Sequence, residues 1–109
     1  MSVESFLYLL DSSDVISGDF DFTFVPVGTL MDMDFENKKF VDCKIIGGDF
    51  ASGIFFNCSF DNVLLNKVSL VGVNFNNCHF IDCKLSNVEC DFNIKNSKID
   101  SFIITKEVA

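Results

Sequence analysis

Every fifth residue from position 15 to position 90 is apolar: Val15, Phe20, Val25, Leu30, Phe35, Phe40, Ile45, Phe50, Phe55, Phe60, Leu65, Leu70, Phe75, Phe80, Leu85 and Cys90. Eight of the fourteen phenylalanines fall on these positions, and no polar residue does. Two positions earlier the residues are small or modest, as at Gly28, Cys43, Gly48, Gly53, Cys58, Val63, Val68, Val73, Cys78, Cys83 and Val88. The other three positions of each five are mostly Asp, Asn, Lys, Ser and Gly. A helix repeats every 3.6 residues and a half-buried strand every two, so neither generates this period. A coil of short straight segments with a corner after each one does. In each segment the central side chain and the one two before it point inward, and their neighbours point to solvent.

A second period sets the number of segments per coil. Phe20, Phe40, Phe60 and Phe80 recur at intervals of twenty, as do Phe35, Phe55 and Phe75, and Val25, Ile45, Leu65 and Leu85 form an aliphatic set. Four segments therefore make one coil, and like residues stack between coils at about 4.8 Å, the spacing of paired strands. Asn37, Asn57, Asn77 and Asn96 are expected to line one corner as a ladder of amides. About five coils would give a rod of roughly 24 Å. Phe60 is expected to be buried between Phe40 and Phe80, and Asn62 to face solvent and be replaceable at little cost.

These residues resemble the pentapeptide-repeat proteins, whose pattern is a small residue, Asp or Asn, then Leu or Phe, then two variable positions. Gly18-Asp-Phe20, Gly48-Asp-Phe50 and Val73-Asn-Phe75 carry the match. The resemblance covers residues 13–106 and implies an all-β fold, a right-handed quadrilateral β-helix. Residues 1–12 fall outside it and are expected to form a short, helical N-terminal cap through Phe6, Leu7 and Leu10; residues 107–109 are a tail. There are departures. Lys38 stands where an inward residue belongs, and Thr23-Phe-Val-Pro-Val27 is a poor repeat, so the first coil is expected to be irregular. Near Cys90 the register slips by one residue, resuming with Ile94, Ile99 and Ile104, preceded by Phe92, Ser97 and Phe102. That is the mark of a one-residue deletion at a corner.

Charge adds a polarity to this picture. The net charge is −8, yet it is unevenly placed. Residues 1–36 hold eight acids and no base, whereas residues 37–109 hold eight acids and eight lysines. With no basic cluster to displace counterions, direct nucleic-acid binding is not expected, and a basic partner is the natural counterpart. No apolar run is long enough to span a membrane. Met1-Ser-Val-Glu-Ser lacks the basic start of a secretory signal, so the expected location is cytoplasmic. In that setting the five cysteines read as small buried hydrophobes, with a Cys58–Cys78 disulfide as the geometric alternative.

Reactive chemistry is sparse in the sequence. His79, the sole histidine, should face solvent while Cys78 faces the core, which separates the members of any Cys78/His79/Cys83 metal site. No phosphate-binding loop or nucleophile–base set is present, so neither enzyme activity nor a cofactor or metal is expected. Asp and Asn are read chiefly as corner residues. Three surfaces remain as candidate binding sites: an acidic patch of Asp14, Asp19, Asp21, Asp32, Asp34 and Glu36, close together on the first coil or two; an apolar patch of Ile54 and Phe56; and an apolar C-terminal end, Phe102, Ile103 and Ile104, suited to a homodimer. Other large apolar residues at outward positions are Phe24, Ile46, Leu64, Val71 and Ile81.

The expected function is a non-catalytic protein-binding module. Some pentapeptide-repeat proteins are acidic rods that mimic duplex DNA. The resemblance thus implies an inhibitor or protector of a DNA-handling enzyme with a basic groove, such as gyrase or a host-defence nuclease. The rival reading is a scaffold that binds its protein partner through the apolar wall.

Overall fold

The computed structural model describes residues 2–89 and 91–105. Cys90, with its place in the core column, and the chain from Lys106 onward, with the tail, lie outside the described residues.

Helix α1 (Val3–Ser12) comes first, its N-terminus capped by the Ser2 hydroxyl, which accepts from the Ser5 N–H, with Glu4 in the first turn. Its one fully buried residue, Phe6, puts its ring 5.1 Å from Phe20 and 5.2 Å from Phe22, sealing the start of the core. The strands follow: β1 (Val15–Asp21), β2 (Asp34–Glu36), β3 (Lys39–Ile46), β4 (Ile54–Phe56), β5 (Ser59–Asn66), β6 (Asn74–Asn76), β7 (His79–Ile81), β8 (Cys83–Ser86), β9 (Asn93–Lys95), β10 (Lys98–Ile99) and β11 (Phe102–Thr105). All pair in parallel. One sheet runs β1-β3-β5-β7-β10, with β8 beside β5 and β11 beside β8; the other runs β2-β4-β6-β9. Single bridges Asp49–Ser69–Glu89 continue the ladder on the remaining side. The result is a β-solenoid of about four turns.

The corners explain the polar positions. Asp32, Asn37, Asp42, Ser52, Asn57, Asn62, Lys67, Asn77, Asp82 and Asn87 all have φ between 49° and 62°, with Gly47 and Gly72 at 73° and 70°. These positions recur every five residues, so each coil turns four times through a left-handed residue. That conformation costs an ordinary L-residue about 1–2 kcal/mol, and Asn and Asp bear it best. Their abundance two residues after each central apolar position is thus a backbone requirement. Asn62 has φ 55° and donates to Asp42 at 2.9 Å, which overturns the expectation that it is freely replaceable. At the Asn corner, Asn57 donates to Asn37 at 2.6 Å and Asn77 to Asn57 at 3.2 Å. The ladder stops there, because Asn96 reaches Asn76 at 3.5 Å instead.

Inside, the aromatic columns stack. Phe40–Phe60 and Phe60–Phe80 centroids are each 5.0 Å apart with planes within 5° of parallel, and Phe35–Phe55–Phe75 forms the next column at 4.3 and 5.0 Å. Rings of the two columns meet edge-on or tilted, as Phe60 does with Phe75 at 5.8 Å. The third column departs from the twenty-residue arithmetic at its base. Phe20 pairs with Ile45, and Ile16, not Phe20, lies beneath Phe40. A bulge between Ile16 and Gly18 makes the adjustment, leaving Val15 exposed and Ile16 buried. Phe22 turns inward to join Phe6, while Val25 is only partly buried. The first coil thus carries extra residues, which form an irregular loop over residues 22–33.

At the other end the slip is localised. The Gly72 N–H still reaches the Asp91 carbonyl, whereas Asn93 already pairs with Asn74, an offset of nineteen. One residue is missing at that corner. Lys38 is accommodated because its ammonium turns to donate to the Ser13 carbonyl at 2.9 Å, with Asp14 at 3.9 Å.

Candidate interaction surface

The outward residues of the β2-β4-β6-β9 wall form two columns. Asp34, Ile54, Asn74 and Asn93 stand in one register, and Glu36, Phe56, Asn76 and Lys95 in the other. Alternation along a three-residue strand forces this, because the central Phe35, Phe55 and Phe75 point inward and both neighbours must point out. Two surfaces read separately from the sequence therefore form one: Asp34 and Glu36 lie one coil below Ile54 and Phe56. Both apolar side chains are 43% exposed.

The other four acids do not join this patch. Asp14 sits beside Lys38. Asp19 lies on β1, in the sheet that does not contain β2, in register with Lys44 of β3. Asp21 accepts from the Thr23 hydroxyl at 2.5 Å and the Thr23 N–H at 2.9 Å, and these bonds hold its carboxyl below the ordinary value. Asp32 is a corner residue with φ 57°. The single acidic patch expected from sequence is thus dispersed around the first coil, because neighbours in sequence occupy different sides of a four-sided coil.

The C-terminal trio is likewise divided. Phe102 and Ile104 continue the inward columns above Cys83 and Leu85, and the Phe102 ring meets Phe80 edge-on at 5.2 Å. Ile103 projects outward beside Lys84. Ile103 and Ile104 are about half exposed, as is Ile99.

Besides Val15 and Ile99, which the period places inward, two more exposed apolar side chains were missed. Val27 is 86% exposed on the 22–33 loop, where Phe24 is 96% exposed, and Tyr8 projects from α1. Pro26 and the broken register of Thr23–Val27 were the available signal for Val27. Ile46, Leu64 and Ile81, placed outward by the register, are half-buried.

Reactive groups are held quiet. Cys43, Cys58, Cys78 and Cys83 are free and buried. Burial raises all four thiols, Cys43 to about 12 and Cys58 and Cys83 to about 11, which suppresses the nucleophilic thiolate. His79 contacts Asp100 at 2.6 Å on the outer wall, and that hydrogen bond holds the Asp100 carboxyl below its ordinary value. No cluster of three metal-binding side chains occurs among the described residues. None of the described helices is long and apolar enough to cross a membrane.

The five-residue corners, the four-sided coil and the inward Phe columns define a β-solenoid consistent with a pentapeptide-repeat β-helix. Comparison with known families agrees: the model of the pentapeptide repeats matches residues 54–89, in eight copies. No curated protein matches the chain. Outside the matched segment the same corner geometry continues, back to Asp32 and forward to Asn96. Solenoids of this kind are generally non-catalytic structural or interaction modules.

Proposed function

We infer that the protein is a non-catalytic binding module that engages a protein partner through its β2-β4-β6-β9 wall. One observation carries this reading: Asp34 and Glu36 stand in register directly beneath Ile54 and Phe56 on one wall. A buried apolar centre with charged neighbours is the arrangement by which interfaces combine affinity with orientation. The complementary partner surface presents an apolar strip next to lysines or arginines. A rod imitating duplex DNA receives less support. Its acids would need to run in continuous rows, whereas here they are dispersed, and the molecule measures 36 × 30 × 23 Å, a block rather than a rod.

The test is to recover the partner from the native host with the wild-type protein. Its affinity is then measured for Ile54→Ser with Phe56→Ser and for Asp34→Asn with Glu36→Gln, at low and high salt. The wall reading expects the apolar pair to lose most of the affinity at either salt. The acidic pair should lose less, and only at low salt. Undiminished binding by the apolar pair overturns it; a steep salt dependence with sensitivity to Asp14, Asp19 and Asp21 would restore the mimic. Self-association through Phe102, Ile103 and Ile104 is a second, compatible reading, favoured by the exposure of Ile103 and Ile104. Light scattering on wild type and on Ile103→Asp with Ile104→Asp decides it; a monomer in both cases removes it.

A further inference from the structure

A concavity of about 690 Å³ runs along the Asn corner, between the wall just described and that of β3, β5, β7 and β10. One bank is the amide ladder. The other is a straight column set by strand register, Lys39, Ser59, His79 and Lys98. In a chain of net charge −8, no carboxylate lines this groove among the described residues, while two lysines and the only histidine do. Lys39 makes no ion pair among the described residues. Lys98 meets Asp100 only at 4.0 Å, and that carboxylate is already held by the His79 ring. With Asp100 at one edge, the groove still carries more positive than negative side chains within an acidic protein.

The geometry points to a binding groove for an extended, carboxylate-rich peptide segment. Lys39 and Lys98 are three coils apart, about 14 Å at the strand spacing. In an extended strand, side chains four residues apart share a face and are separated by about 13 Å. Carboxylates at such positions meet both lysines together, and the Asn amides and the Ser59 hydroxyl supply donors and acceptors to the backbone between them. A nucleic-acid strand offers comparable charge, but no Phe, Tyr or Trp side chain lines the groove to stack its bases. This site does not depend on the Ile54–Phe56 wall.

The probe is a fluorescein-labelled alternating Glu-Ser peptide, followed by anisotropy against the full chain, with a Gln-Ser peptide and a single-stranded oligonucleotide of similar length as comparisons. Wild type should bind the Glu-Ser peptide and neither comparison. Lys39→Gln with Lys98→Gln should weaken binding about tenfold, as expected for two partly screened ion pairs. Lys44→Gln with Lys84→Gln, on another wall, should leave it unchanged. Circular dichroism confirms that both variants keep the fold. Failure of the Glu-Ser peptide to bind, equal weakening by both lysine pairs, or preference for the oligonucleotide overturns the proposal.

Discussion

Replacing Phe60 with alanine removes the central ring of the core. Phe60 is 5% exposed and stacks between Phe40 and Phe80 at 5.0 Å on each side. It also meets Phe55 at 5.5 Å and Phe75 at 5.8 Å. Large-to-small changes at buried aromatics cost about 3–5 kcal/mol, and the cost rises when the surroundings cannot collapse into the cavity. Collapse is resisted here because the coil spacing is fixed by backbone hydrogen bonds above and below, such as Ser59 N–H to the Lys38 carbonyl and His79 N–H to the Cys58 carbonyl. Each lost ring pair adds about 0.5–1.5 kcal/mol to the transfer cost, so the upper half of the range, about 4–5 kcal/mol, is expected. In urea that is a fall of about 2–3 M in midpoint at unchanged slope. Phe60→Leu, which keeps the column filled, should cost only about 1–1.5 kcal/mol and guards against a variant too unstable to measure. A loss below about 1 kcal/mol for Phe60→Ala would refute the stacked register.

Asn62→Ala forces alanine into the left-handed corner and deletes the bond to Asp42, so urea unfolding should show a loss of about 1–2 kcal/mol, with Asn62→Gly milder. Gly47→Ala places a Cβ 2.9 Å from the backbone of Thr23 at φ 73° and should cost at least about 1–2 kcal/mol; a neutral result would mean that the 22–33 loop does not rest there. The thiols give a pH dependence of definite sign. Their folded values are raised by burial, so the native state keeps its protons while the unfolded thiols, near 8.5, release theirs. Stability is constant below about pH 8.5 and falls as pH rises toward 11. Urea midpoints between pH 7.5 and 9.5 should show this onset, and Cys43→Val should make the fall shallower without abolishing it, since Cys58, Cys78 and Cys83 remain; a rising midpoint contradicts it.

Most of the solenoid was legible because its two periods are written in side chains that the backbone geometry selects. Phe40, Phe60 and Phe80 lie on one column because the coils between them contain twenty residues each, and the structure follows that register from Asp34 to Glu89. The misreading at Phe20 has a physical cause. A bulge and a loop alter the residue count of the first coil, and period counting has no means of seeing where extra residues are looped out. The meaning of the corners was half legible: Asn and Asp were recognised as turn residues, but the positive φ that makes Asn62 costly to replace depends on the backbone path. The surface was least legible. Asp19 and Asp34 look like neighbours in an acidic stretch, yet they face different sides, while Glu36 and Phe56, twenty residues apart, stand side by side.

The claim that one wall is the working surface is tested most directly by site-specific photocrosslinking in the native host. A photoreactive residue is placed at Phe56 on that wall, or at Lys84, an exposed position on the β5–β8 side. The account predicts a defined protein adduct from position 56 that disappears when Ile54 is also changed to serine, and no such adduct from position 84. Adducts of the same identity and yield at both positions, or at position 84 alone, would contradict it.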